Sequence, residues 1–337
     1  MSGEVEAART VRPIRWGILG CGDVAEKKGG PALYQTPGSE LVAVMRRDRA
    51  KAEAFARRHG ARRSYDRVED LLADADVDAV YVATPPHVHC EQTIACARAG
   101  KHVLVEKPMA LNGAECDRMI AACREAGVHL HVAYYRRFWP KFVEAKRLLA
   151  EGAVGQVLGA RLQMAAMSGA GGWRTDPAVA GGDHFVDVGS HRLDILLHLL
   201  GDVAAEEEAK GFVANLVGHH AAENDVALAL RMASGVLVSG AFHFRTQPAR
   251  DVLEVYGTDG TLALAPFDGD TLTLRHDPNQ QNGHVAEYRF PNPSPTHGPL
   301  VEALVRVYHG SDEPHVTGEE GAKVTRIMDA VLATCPR

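Results

Sequence analysis

The stretch Gly17-Ile-Leu-Gly20-Cys-Gly22-Asp-Val-Ala25 constrains this chain more than any other. An apolar run, Ile14–Leu19, leads into Gly20-x-Gly22-x-x-Ala25, and a helical pattern follows. That is the order in which a parallel-sheet strand turns into a helix over a dinucleotide. Gly20 permits the tight turn, Gly22 lets the backbone approach a pyrophosphate, and Ala25 lets the helix pack close on the strand. The helix N-terminus, at Asp23 and Val24, then faces the anion. The alternative is a glycine-containing turn without a ligand, and the surrounding β-α-β order argues against it.

Strand patterns recur at Leu41–Met45, Ala79–Ala83, His102–Val105 and Leu130–Ala133, with helical patterns between them. Glu91–Ala99 and Ala114–Ala126 carry apolar residues at spacings of three and four, and each is followed by a stop signal, Gly100 and Gly127. The alternation predicts an α/β fold opening with a Rossmann domain, a doubly wound parallel sheet over residues 12–134. After a helix near Pro140–Glu151 the texture changes. Val157–Met164, Ala227–Met232 and Val236–Phe244 alternate in polarity and are joined by turns such as Ala233-Ser-Gly235 and Thr258-Asp-Gly260. Residues 135–337 therefore read as an α+β domain on an open, mostly antiparallel sheet. Within it, Asp277–Pro299 reads as loop with one short strand, and Glu319–Thr334 as a closing helix.

The chain has 337 residues, 46% hydrophobic and 24% charged, enough for two cores. A net charge of −6 leaves no broad cationic surface for nucleic acid. No run approaches the roughly 18 apolar residues of a membrane span. The opening residues lack the apolar core of a secretory signal. Cys21, Cys90, Cys96, Cys116, Cys123 and Cys335 have neither C-x-x-C spacing nor disulfide density, so a cytoplasmic protein with reduced thiols is expected.

An NAD site usually places an acid at the end of the second strand, about 20 residues past the fingerprint, to bind the adenosine ribose. Here that place reads Val44-Met-Arg46-Arg47-Asp48. A guanidinium suits the extra phosphate of NADP in charge and in forked geometry. NADP is the favoured coenzyme, and Asp48 keeps NAD open.

Two clusters carry chemistry. Lys107 follows the strand His102–Val105 at its carboxyl end, beside Glu106 and Pro108, where open α/β sheets gather ligands. Asp187 and His191 are four apart in Gly181-Gly-Asp-His-Phe-Val-Asp187-Val-Gly-Ser-His191, hence on one face of a helix. Gly189 between them costs about 1 kcal/mol against Ala, which suggests something flat near the backbone. Together these groups suit hydride transfer to or from a carbinol. His191 acts as base or acid, Lys107 hydrogen-bonds the reacting oxygen, and Asp187 binds another hydroxyl or orients the imidazole. Trp173-Arg174 reads as a clamp on coenzyme or substrate, or as a packed loop. His87-x-His89 and His129-x-His131 lack the acid or cysteine partners of a metal site, so no metal is expected.

Assembled in order, "GILGCGDVA", "VDAVYVATPPHVH" (77–89), "GKHVLVEKPMA" (100–110), "YYRRFWP" (134–140), "GGDHFVDVGSHRLDIL" (181–196) and "VYGTDGTLAL" (255–264) resemble the Gfo/Idh/MocA family of oxidoreductases. The resemblance covers nearly the whole chain. It implies a nicotinamide-dependent enzyme acting on sugars, inositols or related cyclic polyols, and pairing through the second sheet into a homodimer or homotetramer. It matches Lys107, Asp187 and His191 to the family's active-site lysine, acid and histidine. Thr84, Pro85 and His87 match the loop bordering the coenzyme, with Glu106 beside it, and Arg136 matches the basic position after the last Rossmann strand. Two departures stand out: Arg46 where many members carry the ribose-binding acid, and Asp183 where a third glycine is common. An NAD-retaining glycoside hydrolase of the same family and a catalytically decayed nucleotide-binding regulator are the alternatives.

Overall fold

The computed structural model describes residues 12–167, 172–182, 184–218, 223–267, 269–277, 283–312 and 315–333. Its first sheet is built from β1 (Ile14–Leu19), β2 (Ser39–Met45), β3 (Arg63–Tyr65), β4 (Ala79–Val82), β5 (His102–Val105) and β6 (Leu130–Val132) in the order β3-β2-β1-β4-β5-β6. β1 runs parallel to β2 and β4, β2 to β3, and β5 to β6. Strands β1 and β4 are apolar almost throughout because a parallel sheet is covered on both faces. The order reverses between β1 and β4, which puts the topological switch point at the carboxyl end of β1, where the fingerprint turn lies.

The helices of this part are α1 (Asp23–Lys27), α2 (Gly29–Gln35), α3 (Arg49–His59), α4 (Val68–Leu72), α5 (His89–Arg98) and α6 (Gly113–Glu125). Side chains of Asp48 and Asn112 cap α3 and α6. The two predicted stop glycines, Gly100 and Gly127, adopt φ of 69° and 65°, the left-handed region that glycine enters without a Cβ penalty.

The second sheet comprises β7 (Val157–Met167), β8 (Ala209–Ala214), β9 (Asp225–Arg231), β10 (Leu237–His243), β11 (Arg245–Gly257), β12 (Gly260–Leu264), β13 (Thr271–His276) and β14 (His284–Arg289). Their order is β14-β13-β12-β11-β7-β10-β9-β8, antiparallel except between β7 and β10. The accompanying helices are α7 (Pro140–Ala150), α8 (Pro177–Ala180), α9 (Ser190–Leu200) and α11 (Gly318–Leu332), while α10 (Gly298–Tyr308) belongs with the first unit. Buried charge ties α9 to α11: Arg137 donates to Asp194 at 2.7 Å and to Glu320 at 2.7 Å, and burial pushes the Asp194 carboxyl up to about 7 against the pull of Arg137.

The chain forms two compact units, Met1–Ala83 with Ser294–His315, and Thr84–Pro293 with Val316–Arg337. The first recruits α10, a helix absent from the sequence reading, which takes Asp277–Pro299 as loop with one short strand. Leu300, Val301, Leu304 and Val305 form the buried stripe of α10, which packs on α2 and β2, and Tyr308 meets the ring of Trp16 with centroids 5.9 Å apart. The Pro- and Asn-rich run before it hides this stripe, because its last turn signals, Gly298-Pro299, directly precede Leu300. Among the described residues no helix is long and apolar enough to cross a membrane.

Asp78, just before β4, gathers Arg12 at 2.8 Å and Arg15 at 3.0 Å. Burial raises its carboxyl, but hydrogen bonds from both guanidinium groups outweigh that and bring it down to about 2. Its ordinary value is about 3.9, so the pair stabilises the fold above that pH and the contribution disappears as pH falls through about 2. The stability deficit of Asp78→Asn should therefore be largest near pH 5 and smaller by roughly 1 kcal/mol near pH 3. Urea unfolding at both values measures it.

Candidate active site

In the first unit the fingerprint turn leaves β1 with Gly20 at φ 95°, a conformation that only glycine adopts freely. Gly22 is different. Its φ of −100° suits any residue, and a Cβ built there meets nothing within 4 Å. The fold itself therefore does not require glycine at this position. What the missing side chain leaves is open space beside the N-terminus of α1, whose amides have no side-chain cap. That is the environment in which a pyrophosphate fits. Asp23 is exposed at the start of α1 and Val24 half-buried, while Ala25 is fully buried. Cys21 is also buried, and that burial pushes its thiol up to about 12, so it is an inert small residue.

At the end of β2, Arg46 swings across this turn and donates to the Cys21 carbonyl at 2.6 Å, while Arg47 is exposed. Asp48 is already engaged: it caps α3 by accepting from the Lys51 amide at 3.1 Å and pairs with the Lys51 ammonium at 3.1 Å.

In the second unit Lys107 leaves β5 and is anchored by Asp187. Its ammonium donates to the Asp187 carbonyl at 2.8 Å and to the carboxylate at 2.5 Å. Arg174 approaches the other carboxylate oxygen at 3.5 Å. Burial raises the Asp187 carboxyl, but Lys107 and then Arg174 outweigh it and hold the group below the ordinary carboxylate range. Asp187 is thus a fixed negative partner for Lys107. An ammonium has three protons, and two are engaged here, so the third can meet a substrate oxygen.

The sequence expectation for the helix needs correction. Phe185–Gly189 forms a π-helical turn that runs on into α9, so Asp187 is rotated relative to an ideal α-helix and its carboxylate turns to Lys107 and Arg174. His191, 3% exposed, packs edge-on against Tyr134, Tyr135 and Phe267, with centroids 6.1, 5.4 and 5.7 Å away. Gly189 needs no flat guest to explain it. A Cβ there would stand 2.8 Å from the ring of Phe185, which explains the glycine by packing alone.

The remaining candidates divide. Thr84 donates to Gln92 at 2.6 Å, Pro85 is half-buried and His87 exposed. Glu106 is 6% exposed and accepts from the Lys107 amide at 3.1 Å. Trp173 is 39% exposed and stacks on the Arg174 guanidinium at 4.5 Å. Arg136 is 3% exposed: it donates to the Phe267 carbonyl at 2.9 Å and lies 3.9 Å from the centre of that ring. Asp183 falls outside the described residues. Among those described, no group of three or more His, Cys, Asp or Glu side chains is placed to hold a metal ion. Sequence reasoning passed over Phe267, which walls His191; the cue was an aromatic residue in the sequence Pro266-Phe-Asp-Gly-Asp between β12 and β13.

Comparison with known proteins shows the family of the chain. Residues 14–134 match the oxidoreductase family with an NAD-binding Rossmann fold, and residues 142–263 match the GFO/IDH/MocA C-terminal domain. The chain is 33% identical to a 1,5-anhydro-D-fructose reductase of Ensifer adhaerens over 91% of this chain and 92% of that protein. It is 31% identical to a D-xylose 1-dehydrogenase (NADP(+)) of Haloferax volcanii, covering 94% and 96%. The crystal structure of an aldose-aldose oxidoreductase from Caulobacter crescentus, complexed with glycerol, superposes with a TM-score of 0.85 at 28% identity, covering 96% and 97%.

Because a Cβ at Gly22 meets nothing within 4 Å, Gly22→Ala should unfold within about 0.5 kcal/mol of the parent. Binding of the dinucleotide, read by quenching of tryptophan fluorescence, should weaken by about tenfold or more, since the new methyl occupies the pyrophosphate's approach.

Proposed function

Since the chain belongs to the GFO/IDH/MocA family of oxidoreductases, we propose that it transfers a hydride between NADP and the carbinol or carbonyl carbon of a sugar or related cyclic polyol. The observation that carries this reading is the Lys107 ammonium held on two acceptors of Asp187. The bound nicotinamide supplies the acceptor or donor of the hydride. Lys107 then hydrogen-bonds the reacting oxygen and stabilises the negative charge that develops there in the transition state. His191 takes the hydroxyl proton on oxidation and returns it on reduction, a role suited to a side chain that ordinarily titrates near neutrality. Asp187 is the positioning residue: it neither gains nor loses a proton, and it prevents the lysine from exploring its many rotamers. Trp173, exposed beside Arg174, offers an apolar face to the C–H face of a sugar ring.

NADP is preferred over NAD in this reading for two reasons. Arg46 and Arg47 supply positive charge where an acid binds the ribose of NAD, and Asp48, the nearest alternative acid, is committed to capping α3. The name of the Haloferax relative, D-xylose 1-dehydrogenase (NADP(+)), fits the same choice. The relatives' names likewise support a sugar as substrate.

The deciding experiment screens aldoses, anhydro-sugars and cyclic polyols with both coenzymes by nicotinamide absorbance. Turnover with NADP(H) at the lower KM is expected, and a clear NAD(H) preference would reject the arginine argument. Lys107→Ala and His191→Ala should each lose on the order of 10²-fold in kcat while still binding coenzyme. Arg46→Ala should raise KM for NADP(H) about tenfold or more and leave KM for NAD(H) nearly unchanged.

A further inference from the structure

His89, the first residue of α5, is fully buried, and both of its ring nitrogens face carbonyl oxygens. Nδ1 lies 3.1 Å from the Pro108 carbonyl and Nε2 lies 2.7 Å from the Thr84 carbonyl. Carbonyl oxygens only accept. A neutral imidazole has one N–H, so it satisfies one of them and turns a lone pair toward the other, whereas an imidazolium donates to both. The groups that face the ring are these two carbonyls, the Met109 backbone and the Glu106 carboxylate. Burial outweighs these four neighbours and leaves the pKa of His89 below its ordinary value, so the case for a charged ring rests on its two backbone acceptors. The Glu106 carboxylate acts on the ring through its charge and is the counterion for a charged imidazole.

The two carbonyls belong to the segments that carry the functional residues of this unit. Thr84 immediately precedes Pro85 in the segment after β4, and Pro108 immediately follows Lys107. We propose that His89 is a doubly donating imidazolium that latches the Thr84-Pro85 segment to the Lys107-Pro108 segment, and so fixes the backbone from which Lys107 reaches Asp187. It is a positioning residue and touches no substrate. The catalytic consequence rests on the role given to Lys107 above; the protonation state of the latch does not.

The test reads both separately. In ¹⁵N-histidine-labelled protein near neutral pH, the His89 resonances are assigned by their loss in His89→Asn or, should that variant misfold, in His89→Gln. Both ring nitrogens should have the chemical shift of N–H nitrogen. One nitrogen of the pyridine type would overturn the latch, whether or not any sugar is turned over. For the consequence, the folded variant should lose on the order of tenfold to 10²-fold in kcat, because the ammonium is misplaced, with the KM for sugar changed less than kcat. A kcat within about twofold of the parent would reject the positioning role while leaving the assignment of Lys107 intact.

Discussion

A lysine beside a reacting oxygen is useful only if its long, flexible stem is held still, and in this chain that constraint is met by one residue, Asp187, acting through both its carbonyl and its carboxylate. The neighbouring structure serves this double grip. The π-helical turn widens the backbone at Asp187 so that its carbonyl is available to a side chain as well as to the Ser190 hydroxyl at 2.9 Å. Gly189 lets the turn close over the Phe185 ring, and Phe185 in turn meets Phe242 of β10 with centroids 5.2 Å apart. The second sheet therefore supports the turn that anchors the lysine.

The strands of the first sheet were legible because burial on both faces leaves continuous apolar runs: Ile14–Leu19 and His102–Val105 are found with the ends that the sequence suggests. β3 was not, since Arg63-Ser-Tyr65 is half-buried and polar, and its edge position is set by pairing with β2. Of the candidate site, the residue types and their order were readable, but the partnerships were not. A spacing of four between Asp187 and His191 implies one face only if the helix is regular, and a π-turn leaves no simple mark in sequence. Likewise, nothing in Arg136 as a letter reveals that its guanidinium is spent on Phe267.

His87-x-His89 shows the same limit from another side. The pair has a metal-like spacing, yet one ring is exposed and the other is buried between carbonyls. The useful signal was the position of His89 at the head of α5, one short turn after a strand exit, rather than its distance from His87.

A common device links several of these details. In the second unit Lys107 is held by the Asp187 carbonyl, Arg136 holds the Phe267 carbonyl, Arg192 donates to the Val188 carbonyl at 2.7 Å, and buried Lys141 donates to the carbonyls of Ala265 and Gly269 at 2.7 and 2.9 Å. A charged donor gains more from a carbonyl in a dry interior than in water, and it needs every proton satisfied there. Backbone acceptors have a further property: every residue type supplies one. The segment around Phe267, which presents that ring to His191, is therefore gripped at Ala265 and Gly269 through atoms that survive a change of side chain, together with the Phe267 amide donating to Asp251 at 2.6 Å. Replacing Phe267 would alter the wall of the imidazole while leaving the acceptors that hold the segment in place. A site built this way separates the scaffold from the surface it presents, so that the groups lining the reaction can vary without the loop losing its position.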